Sequence, residues 1–265
     1  MNGHWLMVYD DHSPKRETGR PINNHSLFTG KEILMSAIIL STQNYLRKHW
    51  LWILATIGSL FPLAWLIWDT VQGNLSVNPI TDITNRTGKA AIILLMLSLA
   101  CTPVNIVTGY SRVTTIRKVL GLYAFFYASL HFLNFVGLDY GFDLQMILGD
   151  TLLEKRYILV GLGALLLLIP LAITSTKGWM KRLGRNWKRL HQLAYVIGVL
   201  AVTHFLWLVK ATARWEPLVY AAILTILLVV RVPPVRRLIV ALRQGKPAGK
   251  LANKEKRRPA PARTA

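Results

Sequence analysis

Three histidines carry the chemistry this sequence offers: His131, His191 and His204. Each stands inside or at the edge of a long apolar run. There an imidazole is costly unless it ligates a metal, relays a proton or bonds a neighbouring helix. His191 and His204 share the stretch from Leu183 to Trp207, which opens basic with Arg185, Lys188 and Arg189 and turns apolar at His191. On a helix His204 falls about 20 Å beyond His191, and His131 lies about 18 Å along its own run from Val119. If the two runs point the same way, His131 and His204 share one level. Two neutral imidazoles on facing helices at one level can ligate the iron of a porphyrin from both sides. Gly121, Ala128 and Gly137 leave room near the His131 helix. The single Cys101 and the lack of a CxxCH motif exclude an internal disulfide, a thiolate cluster and covalent haem attachment.

His191 sits near the opposite end of its run. Thirteen residues at ~100° each leave it some 140° away from His204 on an ideal helix, so two cofactors stacked on that helix need a bend or bulge between them. The positions thirteen and fourteen residues before His131 hold Lys118 and Arg117, not histidine. The plainer reading of all three histidines is a hydrogen bond between helices. His4, His12, His25 and His49 fall outside the apolar cores and read as surface residues.

The elements that must position these rings follow from hydropathy. The chain has 265 residues, 52% hydrophobic, with a formal charge of +20 and a mean hydropathy of +0.35. Charge is crowded between long apolar runs, the pattern of an all-α polytopic membrane protein. Six spans are predicted: 50–68, 90–107, 119–138, 157–174, 191–209 and 218–232. Tryptophans flank the first, and Pro233-Pro234 ends the last. No internal repeat is evident. Lys and Arg concentrate in the connections on one side, sixteen against six, while Asp and Glu lie on the other. By the positive-inside rule this six-helix bundle has both termini in the cytoplasm. The chain then reads as an N-terminal cytoplasmic extension (1–48), a membrane domain (49–233) and a basic, disordered cytoplasmic tail (234–265). Residues 1–34 show no signal-peptide pattern and read as dispensable.

Basic flanks beside apolar spans meet phospholipid head groups, so membrane lipids rather than nucleic acid are the expected partners. The predicted cores hold no Asp or Glu for a proton relay or cation site. The sequence also lacks a P-loop, a GxGxxG fingerprint and an HExxH motif. Electrons are the cargo left. The acidic connection with Asp139, Asp143, Asp150 and Glu154 is where an acceptor is expected to dock.

Thr87-Gly88 and Thr102-Pro103 bound the second span. Arg117-Lys118-Val119-Leu120-Gly121-Leu122 precedes His131, and Leu183-Gly184, Trp187, Leu190-His191 and Tyr195 precede His204. Over about residues 50–240 this pattern resembles the haem-binding membrane subunits of bacterial periplasmic protein-methionine-sulfoxide reductase systems (MsrQ-like), within the ferric-reductase-like transmembrane superfamily. The resemblance implies a multi-pass b-type cytochrome of the inner (plasma) membrane, with His131, His191 and His204 as haem iron ligands to one or two b haems. It also implies FMN, a quinone or reduced-flavin electron donor, and a periplasmic molybdopterin-containing catalytic subunit as partner in a heterodimer. The chain would then be an electron-transfer subunit rather than the catalytic one. A ferric reductase or other quinone-linked cytochrome with a different acceptor is the nearest alternative. A haem-free membrane scaffold or transporter is the alternative of another class.

Overall fold

A computed structural model describes residues 25–147, 149, 155–209 and 215–245. Every regular element among them is a helix. The chain divides into two units, Met1–His49 and Trp50–Ala265. The described part of the first unit, from residue 25, is the opening stretch of α1 (His25–Val71). The second unit holds the rest of α1, then α2 (Pro79–Thr108) and α3 (Val113–Asn134), which runs on into a π-helical turn, Phe135–Asp139. After a single turn at Leu144–Met146 come α4 (Arg156–Ile173), α5 (Lys177–Leu183), α6 (Arg185–Leu190), α7 (Leu193–Leu208), α8 (Trp215–Val229) and α9 (Pro233–Gln244).

Local signals set the boundaries. Asn78 caps α2 by accepting from the Thr81 N–H, Pro79 occupies its first turn, and Gly109 ends it at φ 78°, a left-handed conformation suited to glycine. Thr176 caps α5 in the same way through Trp179 N. Gly184, at φ 49°, separates α5 from α6.

Among the described residues, five stretches are long and apolar enough to cross a membrane: His49–Val71, Pro79–Thr108, Val113–Asp139, Arg156–Ile173 and Arg185–Leu208. A sixth arises only if α8 and α9, bent by 76° at their junction, count as one span. Alone, the 15 residues of α8 rise about 22 Å, short of the ~30 Å hydrocarbon core. The span holding His191 is not one straight helix. It is interrupted by a turn at His191 and Gln192, between α6 and α7. Residues 234–244 also depart from the sequence reading, which has them in a disordered tail. They form α9, whose Arg243 donates to the Asn105 and Ile106 carbonyls (3.3 and 3.0 Å) at the end of α2. Residues 246–265 lie outside the described residues.

The core is built on α2. Its Leu94, Leu95, Met96, Leu99 and Cys101 are buried, packed along α3 and against α7 and α8, while α4 pairs with α7. On the far side of α2, Ile93 and Leu97 are exposed, as lipid-facing residues are. Arg231, after α8, folds back beneath this core. Its guanidinium donates to the Tyr195 hydroxyl and the Leu99 carbonyl and lies 4.7 Å from the Tyr195 ring centre.

The tie between α1 and α3 is one buried hydroxyl. Tyr127 donates to the Ser59 carbonyl (2.8 Å) and accepts from the Leu63 N–H (3.0 Å), so it sits within the hydrogen-bond ladder of α1. The opening lies beside Pro62, which has no N–H to give and loosens the helix there. Tyr127 is one helical turn before His131, so this bond also fixes the helix that carries the histidine. Tyr127→Phe is expected to strand two main-chain groups and cost about 1–3 kcal/mol. Thermal unfolding in detergent would read this as a lowered midpoint; an unchanged midpoint would show that α1 closes its own ladder.

Candidate cofactor-binding site

His131 lies in the last turn of α3, and His204 four residues before the end of α7. The structure brings them together, with ring centres 6.2 Å apart and planes at 83°. Each ring is held from behind in the same way. His131 Nδ1 lies 2.9 Å from the Thr84 carbonyl of α2, and His204 Nδ1 lies 2.7 Å from the Tyr157 carbonyl of α4. A carbonyl can only accept, so each Nδ1 carries the proton and each Nε2 keeps its lone pair. Such a second bond orients an imidazole that binds a metal.

Both rings lean against glycine. A Cβ on Gly88 would come within 3.0 Å of His131 Nδ1, and one on Gly161 within 2.7 Å of His204 Nδ1. These two glycines, on neighbouring helices, make the room that the sequence reading assigns to Gly121 and Gly137. Those instead face Ser98 and Phe142, whose nearest atoms would lie 3.3 and 3.2 Å from a Cβ added at each glycine. Ala128 does line the space in front of the rings.

That space is a cavity of about 630 Å³, within the ~300–1,000 Å³ usual for cofactor pockets. Its deep walls are apolar, with Leu95, Ala124, Leu168 and Ile197 among them, while Asn85, Lys89, Asp139, Tyr140 and Lys155 stand towards the helix ends.

The wall is made twice. His204 follows His131 by 73 residues, and Tyr157 follows Thr84, and Gly161 follows Gly88, by the same step. The step holds around the cavity: Ala91 and Ala164, Leu95 and Leu168, Ala128 and Ala201, Phe132 and Phe205 all line it. The α2–α3 pair and the α4–α7 pair are therefore an internal repeat, contrary to the expectation of none. Its trace in the sequence is GKAAIILL with ASLHF (88–95 and 128–132) against GLGALLLL with AVTHF (161–168 and 201–205). Leucine-rich spans hide such a match, and only the shared glycine, alanine and histidine positions distinguish it.

His191 is not part of this cavity. Its Nδ1 lies 3.2 Å from the Trp187 carbonyl and its ring stacks on Trp187, with centres 4.1 Å apart. Trp187 is itself fixed by donating Nε1 to the Thr174 carbonyl at 2.9 Å. The Leu171 carbonyl lies near the ring, yet the buried Nε2 makes no hydrogen bond. The position 73 residues earlier is Lys118, so the repeat is symmetric at the His131–His204 level and broken at the His191 level. Of the acids expected to dock an acceptor, Asp139 lines the cavity and Asp143 accepts from the Met146 N–H at 3.0 Å. Asp150 and Glu154 lie outside the described residues.

Two imidazole lone pairs are the donor set here. Among the described residues no three His, Cys, Asp or Glu side chains converge on one point, so the remaining ligands of a metal would have to come with it. A porphyrin iron brings four. Two metal–imidazole bonds of about 2 Å, plus roughly 1 Å from each nitrogen to its ring centre, put the centres about 6 Å apart. The observed separation fits a single iron between the rings.

Comparison with known proteins adds a second line. Residues 87–202 match the family described as ferric reductase like transmembrane component. A protein of Xanthomonas axonopodis pv. citri (strain 306), named protein-methionine-sulfoxide reductase heme-binding subunit MsrQ, is 49% identical over 176 residues, 66% of this chain and 79% of that protein. The protein of the same name from Rhodospirillum rubrum is 45% identical over 183 residues, 68% of this chain and 87% of its own.

Proposed function

Because this chain belongs to the family of MsrQ heme-binding subunits of protein-methionine-sulfoxide reductase, we propose that it is a b-type cytochrome serving as the membrane electron-transfer subunit of such a reductase. The observation that carries this reading is the His131–His204 pair, 6.2 Å apart across an apolar cavity with both Nδ1 atoms tied to carbonyls. His131 and His204 would hold one b haem, which supplies a one-electron carrier when bound. The chain's own work is to hold both rings in one tautomer, keep the walls dry with leucine and alanine, and let the helices approach at Gly88 and Gly161. Burial of this kind sets the potential of a haem.

His191 is the ligand on one side of a second, inner b haem. Support comes from its buried Nε2 without a hydrogen bond. No second histidine stands at that level in the repeat, so a second haem would take its other ligand from elsewhere. The quinone pool or a reduced flavin is the donor, and FMN enters through the family resemblance alone. The acceptor is a periplasmic molybdopterin-containing subunit that repairs oxidised methionine, with which this chain forms a heterodimer. The distribution of basic connections supports an inner-membrane protein with six spans and both termini in the cytoplasm.

The test is the absorbance spectrum of the purified full chain. A Soret band, with reduced b-type bands after dithionite, is expected; a colourless protein would sink the reading. His191→Ala is expected to keep the His131–His204 haem and lower the haem-to-protein ratio from two to one. An unchanged ratio would remove His191 from the ligand set.

A further inference from the structure

The repeated wall of the cavity is informative where the repeat fails. Across the 73-residue step the two histidines, the glycines behind them, and Ala91 and Ala128 are each met by the same residue type. Among the matched pairs in which both members line the cavity, two exchange a polar residue for an apolar one: Asn85 is met by Ile158, and Lys89 by Leu162. Asn85 and Lys89 are four residues apart and so stand one above the other on α2. Ile158 and Leu162 do the same on α4. At these two levels the α2 side of the cavity is therefore polar and cationic, and the matched α4 positions are apolar.

A third polar atom belongs to the same wall. Thr84, beside Asn85 in the cavity lining, has a buried Oγ1 with no hydrogen-bond partner. A buried hydroxyl left unpaired is costly, and its proton is available to an acceptor entering the cavity. Lys89 Nζ lies 3.0 Å from the Glu216 carboxylate, but an ammonium has three donors and can hold a second carboxylate beside the first. Asp139, also in the lining, repels an anion and leaves the α2 wall the favoured side. The rival cation on the lining is Lys155, which donates to the Tyr140 hydroxyl at 3.3 Å.

We propose that Lys89, with Asn85 and the Thr84 hydroxyl, is the carboxylate-receiving end of this cavity and binds a propionate of the haem. The proposal rests on the cytochrome reading above. It gives the bound cofactor a direction that the two histidines alone cannot: its carboxylate edge turns to α2, and its apolar edge to the leucine and alanine wall.

The experiment uses the purified, haem-loaded full chain and two readouts besides activity, the rate of haem transfer to apomyoglobin and the midpoint potential. Lys89→Leu, which copies the residue of the other half, is expected to speed haem transfer about tenfold. It should also lower the potential, because a cation favours the reduced iron. A tenfold shift of the redox equilibrium corresponds to about 59 mV for one electron. Lys89→Arg should restore most of both values, and Asn85→Ile and Lys155→Leu should each give a smaller change than Lys89→Leu. Removing Glu216 together with Lys89 isolates the contact. Transfer stays fast if Lys89 holds the propionate, and returns to the wild-type rate if Lys89→Leu had only stranded Glu216, which would overturn the proposal. Wild-type values in Lys89→Leu, or the shift appearing in Lys155→Leu instead, would overturn it as well. A wild-type chain without a Soret band would sink both this proposal and the cytochrome reading, whereas those other outcomes sink this one alone.

Discussion

His131→Ala and His204→Ala are each expected to cut the haem retained on purification to roughly a tenth of wild type or less. On the proposed reading the two imidazoles, with centres 6.2 Å apart, would both hold the haem, and removing either would leave it one protein ligand short. Loss of a bond that merely orients a ligand costs ~10–100-fold in metal affinity, and loss of the ligand itself costs at least that. The two losses should not add, because each variant breaks the same bis-imidazole centre, so the double variant should resemble either single one. Pyridine haemochrome assay per mole of protein measures the content. Near-wild-type content in both variants would separate the histidines from the iron and return them to the role of ties between helices.

The second large effect is expected from a residue that supplies no ligand. Gly161→Ala places a methyl 2.7 Å from His204 Nδ1, closer than van der Waals contact allows. The ring must turn or α4 must retreat, and either motion breaks the 2.7 Å bond to the Tyr157 carbonyl. A loss of ~10–100-fold in haem retention follows, although every ligand remains in the sequence. Gly88→Ala meets His131 Nδ1 at 3.0 Å, which a few tenths of an ångström of ring movement relieves, so its effect should be smaller. Electron paramagnetic resonance of the oxidised protein offers an independent readout, since a tilted imidazole changes the low-spin signal even where haem stays bound. Retention and spectra like wild type in Gly161→Ala would mean that α4 gives way and that the close approach does not hold the ring.

Much of this site is legible in the sequence. The apolar runs mark the helices, because a membrane leaves a chain little but helical ways to satisfy its main chain. The shared depth of His131 and His204 follows from rise per residue alone. What depth cannot give is the neighbour. Gly88 and Gly161 sit on different helices from the rings they support, and whether a glycine is a contact or merely a small residue depends on how α2 meets α3 and α4 meets α7. Gly121 and Gly137 are the plausible choices from sequence because they share a run with His131, yet they face other side chains. The position of the turn at His191 depends on Trp187, which stacks on the ring while bonded to Thr174. Helix α9 escapes a sequence reading because its basic residues look like solvated tail; a guanidinium bound to the carbonyls that end α2 is a tertiary event without a local signature.

The repeated helix pair also fixes when the site can exist during synthesis. The ribosome adds 73 residues between His131 and His204, an interval of roughly 4–15 s at ~5–20 residues per second. Throughout it, α2 and α3 can pair and place one imidazole against its glycine, while the matching wall is still unmade. Neither half encloses the cavity alone, because its lining is drawn from α2, α3, α4 and α7 together. If the cavity holds the proposed cofactor, its capture would therefore wait until α7 has been made, since only then are all four walls of the cavity present.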